Sequence, residues 1–168
     1  MKQLLTASKI ISKKLTKISE VLIGICGIAL IFIVSTGIIF RYIFKSPLTW
    51  SYELSIVFFI WISFQGAAYA LSKQSHVSFE FILNLLPEKS RSYFLLLKEI
   101  LLLIILLSGT ILGFIVFLNM VPQKYQTIPL SLGWLYLALP VGFVFMFFHT
   151  LYAFLIQIDQ KKSLSEER

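Results

Sequence analysis

Charged residues are scarce in this sequence and absent from four long stretches. Only 14% of the 168 residues are charged, whereas a soluble domain carries about 25%. The stretches without Asp, Glu, Lys or Arg are residues 21–40, 54–72, 100–121 and 130–158. Each is about as long as a helix that crosses a bilayer, ~20 residues. The pattern argues against a soluble domain and predicts an all-α integral membrane protein with four transmembrane helices.

Cysteine and histidine are also rare, which limits the chemistry open to the chain. The sequence has one cysteine, Cys26, and two histidines, His76 and His149. One cysteine cannot form an intrachain disulfide, and these histidines do not supply two axial haem ligands on facing helices. The HExxH, GxSxG and clustered-cysteine motifs are missing as well. We therefore expect no enzymatic activity, no metal and no cofactor.

The basic residues are distributed unequally between the two ends of the predicted helices. Twelve of the 15 Lys and Arg residues lie in the N-terminal segment, between residues 73 and 98, or in the C-terminal tail. The other three are Arg41, Lys45 and Lys124. Since Lys and Arg accumulate on the cytoplasmic side of a membrane, both termini and the middle loop are predicted to be cytoplasmic. The net charge of +7 then reflects contact with membrane lipids, and no nucleic-acid partner is expected.

Apolar runs, prolines and charges divide the chain into one membrane domain with seven segments. Residues 1–20 alternate lysines with apolar residues, which favours a helix lying on an anionic membrane surface. A second amphipathic stretch is predicted to form a short interfacial helix between the second and third transmembrane helices. The predicted segments are the basic N-terminal segment (1–20), the four transmembrane helices (21–44, 48–72, 88–121 and 130–158), the interfacial helix (76–86) and a polar tail (159–168).

Two charges and an aromatic residue mark the outer membrane boundary. Arg41 is predicted at the end of the first transmembrane helix and Glu53 in the first turns of the second, so each complements a helix dipole. They could form an ion pair that joins the two helices, or make polar contacts with a partner subunit. Trp50 belongs to a group of aromatic residues at this boundary, as is usual at a membrane interface.

Small residues and one tryptophan are candidates for helix packing. Gly66 lies among small residues on one face of the second helix, and Gly109 and Gly113 form a GxxxG pattern on the third; both arrangements allow helices to approach closely in lipid. Trp61 is predicted near the middle of the membrane, where it could face lipid but a helix–helix or subunit interface is favoured. Pro140 is expected to kink the fourth helix.

Taken in order, these residues resemble the DctQ-like family, the small membrane subunit of tripartite ATP-independent periplasmic (TRAP) transporters. The resemblance covers nearly the whole chain, including its four helices and predicted cytoplasmic termini. One departure is Glu80, where the family is expected to have Asp. The residues that carry the resemblance are Arg41, Trp50, Glu53, Trp61, Gly66-Ala67-Ala68, His76-Val77, Phe79-Glu80, Leu86-Pro87, Ile128-Pro129, Pro140 and Gly142.

The resemblance implies a function in the bacterial inner membrane. A subunit of this kind binds a large multi-helix permease subunit, which carries the substrate and sodium sites. A periplasmic binding protein delivers an organic acid such as a C4-dicarboxylate or a sialic acid. The small subunit would be a static scaffold, which agrees with the near absence of ionisable residues inside its predicted helices.

Two other functions remain open from the residues alone. A self-sufficient transporter or channel, working as a homo-oligomer, would need Glu53 or His149 to line a pathway. A membrane anchor for a redox enzyme would need haem ligands that this chain does not place on facing helices.

Overall fold

The computed structural model describes residues 2–74 and 88–166, with the side chains of 3–73 and 93–159. Five helices make up this part of the chain, and the bounds are α1 Lys2–Tyr42, α2 Thr49–Gln74, α3 Glu88–Met120, α4 Gly133–Tyr136 and α5 Ala138–Glu166. Four segments are long and apolar enough to cross a membrane: Gln3–Tyr42, Thr49–Lys73, Tyr93–Met120 and Gly133–Asp159. The predicted all-α membrane fold with four transmembrane helices is confirmed.

Helix α1 is much longer than a bilayer is thick. Its 41 residues extend ~60 Å at 1.5 Å per residue, about twice the hydrocarbon thickness. The sequence suggested a basic segment (1–20) lying on the membrane and a separate transmembrane helix (21–44), whereas the structure has one unbroken helix. Ser12 is buried against α5, so the basic turns of α1 continue along the bundle.

Four of the five buried side chains of α1 recur every seven residues, and the fifth, Ser8, lies one turn before the first of them. Ser12, Ser19, Cys26 and Ile33 are all buried, and large apolar residues between them, such as Phe32, are exposed. A seven-residue repeat keeps one seam of a helix against its neighbours in a left-handed arrangement. The seam is made mostly of small residues because lipid solvates large apolar side chains as well as a protein interior does.

Helix α5 is the centre of the bundle. It contacts α1, α2 and α3, and α1 also packs along α2. Every side chain of α5 from Ala138 to Ile158 is at least partly buried. Phe64 of α2 and Phe143 of α5 meet edge to face, with ring centroids 5.9 Å apart, a favourable geometry for aromatic pairs. The arrangement leaves the outer faces of α1, α2 and α3 uncovered by the described chain.

The fourth transmembrane segment is divided near its start. The short helix α4 ends at Tyr136 and α5 begins at Ala138, so Pro140 lies in the first turn of α5. Proline is tolerated there because the first N–H groups of a helix have no partner within the helix. The sequence predicted a kink in this segment at Pro140. The structure has an interruption about one turn earlier, at Leu137, whose backbone stays in the right-handed α region.

A hairpin-like loop joins α3 to α4. Its two sides are linked by the N–H of Tyr125 to the carbonyl of Leu130, at 3.0 Å, and by the N–H of Leu132 to the carbonyl of Gln123, at 2.8 Å. Pro129 is exposed at the tip of the loop, inside the bond between Tyr125 and Leu130. The loop, residues 121–132, is therefore an ordered feature at the predicted outer end of the bundle.

Candidate functional site

Glu53 binds the hairpin-like loop at the predicted outer end. Its carboxylate accepts hydrogen bonds from the backbone N–H groups of Gln126, at 3.2 Å, and Thr127, at 3.1 Å. The Thr127 hydroxyl donates a third bond, at 2.5 Å. Hydrogen bonds to a charged acceptor are stronger than neutral ones, so Glu53 joins the start of α2 to the loop between α3 and α4.

Arg41 does not pair with Glu53. Its guanidinium lies over the ring of Tyr42, 5.8 Å from the ring centroid, and its side chain is exposed. Among the described side chains, the ion pair found is between Lys98 and Glu99, and it involves neither Arg41 nor Glu53. The predicted alternative of an ion pair between α1 and α2 is therefore wrong, since Glu53 uses its oxygens on the loop.

The same loop carries a tyrosine that stays protonated. Burial raises the pKa of the Tyr125 phenol, and the nearby Glu53 carboxylate raises that pKa further. Because both effects disfavour the phenolate, Tyr125 is neutral at physiological pH. The loop therefore offers a neutral phenol beside the Glu53 carboxylate.

The Trp61 side chain makes a contact between two helices of this chain. Its indole N–H donates a 2.9 Å hydrogen bond to the backbone carbonyl of Trp134 in α4. The bond links α2 to the start of the fourth transmembrane segment, close to where α4 and α5 separate. Of the positions considered for Trp61, which were a lipid-facing surface, a helix–helix interface and a subunit interface, the structure shows a helix–helix contact.

Polar side chains form two buried links between α1 and the rest of the bundle. Ser12 Oγ lies 2.7 Å from His149 Nδ1, and the Ser19 hydroxyl donates a 2.9 Å bond to Gln65 Oε1. All four side chains are buried. These bonds fix how α1 packs against α5 and α2, so His149 has a structural partner as expected of an isolated histidine in a helix.

A third buried polar group connects α3 with α5. Glu99 is only 2% exposed, its Oε1 lies 2.7 Å from Lys98 Nζ, and Gln157 Nε2 lies 3.4 Å from the same oxygen. The sequence placed Glu99 in a polar turn and did not single out Ser19 or Gln65. The seven-residue spacing of Ser12, Ser19 and Cys26 is the sequence pattern from which the buried face of α1 could have been predicted.

The three glycines singled out in the sequence differ in their surroundings: Gly109 and Gly113 pack against α5, whereas Gly66 has open space at its Cβ position. A Cβ at Gly109 would meet the Phe143 ring at 2.7 Å, and one at Gly113 would meet Leu139 and Pro140. The GxxxG pattern thus brings α3 close to α5 within the chain. Gly66 has nothing within 4 Å of a Cβ position.

The surroundings of Gly66 form an uncovered face on α2, which we call the small-residue face. On its neighbouring turns Ser63, Ala67 and Ala70 are exposed, and Phe59 is 58% exposed. Small residues let a second helix approach closely in lipid, where packing rather than water exclusion drives association. Of the small-residue patterns singled out in the sequence, this one remains available to another chain.

Other predicted residues are at the outer end or beyond what the structure describes. Trp50 is 36% exposed at the start of α2, and Pro129 is exposed in the loop. His76, Glu80 and the predicted interfacial helix (76–86) lie outside the described residues.

Comparison with known proteins assigns these helices to a family of transport subunits. Residues 12–160 match the family described as tripartite ATP-independent periplasmic transporters, DctQ component. The chain is 31% identical over 143 residues to the sialic acid TRAP transporter small permease protein SiaQ of Vibrio cholerae, covering 85% of this chain and 83% of SiaQ. It is 25% identical over 79 residues to the C4-dicarboxylate TRAP transporter small permease protein DctQ of the same organism, covering 47% of this chain and 34% of DctQ.

A longer relative matches over almost the whole chain. The sialic acid TRAP transporter permease protein SiaT of Haemophilus influenzae is 31% identical over 151 residues, which is 90% of this chain but 24% of SiaT. This chain therefore spans about a quarter of that relative. The family is a non-catalytic transport component, which confirms that the chain is not an enzyme. With four apolar helices, a match over most of its length and a close relative of nearly its own size, the chain belongs to the DctQ component family of TRAP transporters.

Proposed function

We propose that the chain is a scaffold subunit that binds and stabilises a large permease subunit. The complex would take up an organic acid of the C4-dicarboxylate or sialic acid class with sodium, after delivery by a periplasmic binding protein. The small-residue face of α2 is the observation that carries the proposal. It is a surface suited to close helix packing that no described part of the chain covers.

The polar groups within the helices support a static role. Ser12, Ser19, Gln65 and His149 bond to one another across helices, and Glu53 bonds to the loop. A transport pathway needs polar groups that can exchange partners with an ion or substrate. Buried links of this kind instead hold α1, α2 and α5 in one arrangement, as a scaffold requires.

The length of SiaT supports a permease partner. Because this chain matches only 24% of SiaT, most of that permease protein lies outside the match. We take the rest of SiaT as the counterpart of a separate large subunit here. When two subunits are joined in one polypeptide in a relative, the corresponding separate chains are expected to bind each other.

Reconstitution of uptake tests the scaffold function. We expect vesicles with this chain alone, with sodium and a binding protein present, to take up no sialic acid or C4-dicarboxylate. Vesicles that also contain a large TRAP permease subunit from the same genome should take up one of these acids. Sodium-dependent uptake by this chain alone would contradict the proposal.

We also propose that both termini face the cytoplasm and that the loop 121–132 faces the periplasm of a bacterial inner membrane. The distribution of Lys and Arg supports this orientation. Lys9 and Gln126 are exposed at opposite ends of the bundle. In a Cys26→Ser background, we expect a membrane-impermeant maleimide to label Gln126→Cys in intact spheroplasts and Lys9→Cys only after lysis. The reverse pattern would overturn the orientation.

A homo-oligomeric transporter is less well supported by the structure. That function requires Glu53 or His149 to line a pathway, but Glu53 binds the loop and His149 is buried beside Ser12. The same uptake experiment separates the two functions.

A further inference from the structure

The outward face of α1 carries lysines directly beside apolar side chains. Lys13, Lys14 and Lys17 line a shallow groove together with Ile18, Val21 and Leu22. The three lysines are exposed, whereas Ser12 and Ser19 on the opposite face are buried in the bundle. The groove therefore faces away from the rest of the bundle.

The depth of these lysines is set by the uncharged part of α1. Residues 21–40 have no charged side chain and, at 1.5 Å per residue, match the ~30 Å hydrocarbon layer. Lys17 and Lys13 lie one and two turns before Val21, so we expect their ammonium groups to reach the level of the lipid phosphates. Val21, Ile25 and Ile28 continue the same exposed face into the hydrocarbon, with Ile28 73% exposed.

We propose that this groove is a binding site for an anionic phospholipid. The lysines would contact the phosphate and a negatively charged headgroup, and an acyl chain would lie along Ile18, Val21 and Ile25. Three exposed positive charges close together attract an anion, and no described carboxylate forms an ion pair with any of them. A phospholipid of the adjacent leaflet supplies both the charge and the apolar chain. The site depends on membrane insertion alone, so it does not rest on the proposed scaffold function.

Glu20 provides an internal check on this assignment. It is exposed one turn after Lys17, and its carboxylate repels an anionic headgroup bound there. Removing that charge should therefore strengthen binding of the lipid, whereas removing lysines should weaken it. A groove that retains lipids only through apolar contact would respond to neither change.

The test measures phospholipid retained by the purified full-length chain. The chain would be stripped with detergent and titrated with phosphatidylglycerol or phosphatidylcholine, and bound lipid would be counted by native mass spectrometry. We expect Lys13→Gln/Lys17→Gln to lower phosphatidylglycerol affinity roughly tenfold or more, because each lysine near an anionic surface contributes a factor of about five. Glu20→Gln should raise the affinity severalfold, and phosphatidylcholine should bind weakly to all forms.

A matched control separates this site from the net charge of the protein. Lys45→Gln/Lys124→Gln removes the same two charges from exposed positions at the other end of the bundle and should leave phosphatidylglycerol binding within twofold of the parent. Circular dichroism should show that each variant retains its helices. Equal loss in the two double variants, or equal retention of both lipids by the parent, would overturn the proposal.

Discussion

Gly66→Leu is expected to abolish copurification of the large permease subunit while leaving this chain folded. Leucine at this position would extend from the small-residue face of α2, where a Cβ meets nothing within 4 Å in the described chain. The isolated chain has room for the side chain, and a partner helix packed closely on that face does not. Pull-down of the permease by tagged chain should fall more than tenfold.

Gly24→Leu is the matched control for this experiment. Gly24 also has nothing within 4 Å of a Cβ position, and it is exposed on the lipid-facing side of α1. The two variants add the same side chain to an open surface on different helices. Equal permease recovery by Gly66→Leu and Gly24→Leu would show that α2 does not form the interface.

Gly142→Val is expected to destabilise the isolated chain by about 2–3 kcal/mol, the upper range for overpacking of a close contact. A Cβ at Gly142 would meet the Cβ of Phe64 at 2.7 Å. Since the Phe64 Cβ is fixed to the backbone of α2, relief requires α2 and α5 to separate. The measurement is loss of helical circular dichroism on titration with sodium dodecyl sulfate.

Gly24→Val again serves as the control for helix propensity. Valine and glycine differ by a few tenths of a kcal/mol within a helix, so Gly24→Val should unfold close to the parent. If Gly142→Val unfolds at the same detergent concentration as Gly24→Val, the close contact between α2 and α5 does not exist.

The transmembrane helices could be predicted from sequence because the bilayer imposes a length and excludes charge. Long runs such as 100–121 satisfied both conditions, and the structure has a spanning helix there. The boundary of α1 was harder, because a basic amphipathic helix can lie on the membrane or continue outward with the same pattern. Ser12 contacts His149, which lies 137 residues away in the sequence. This contact shows that α1 continues along the bundle, and a pattern of neighbouring residues cannot predict such a long-range contact.

The roles of particular residues depended on the arrangement of the helices. Gly66 and Gly113 both lie in small-residue patterns, and only packing shows that Gly113 contacts α5 while Gly66 is open. Arg41 and Glu53 lie close along the chain and suggested an ion pair. The loop around Thr127 instead offers Glu53 several donors at once, a tertiary contact that the sequence order does not reveal.

Site-specific photo-crosslinking tests the central claim most directly, namely that the small-residue face of α2 holds the large permease. A photoreactive amino acid would replace Ala67, which is exposed on that face, or Ile28, which is 73% exposed on α1. Both would be coexpressed with the permease in native membranes. We predict a crosslink to the permease from position 67 and none from position 28. A crosslink from position 28 with none from position 67 would contradict this account.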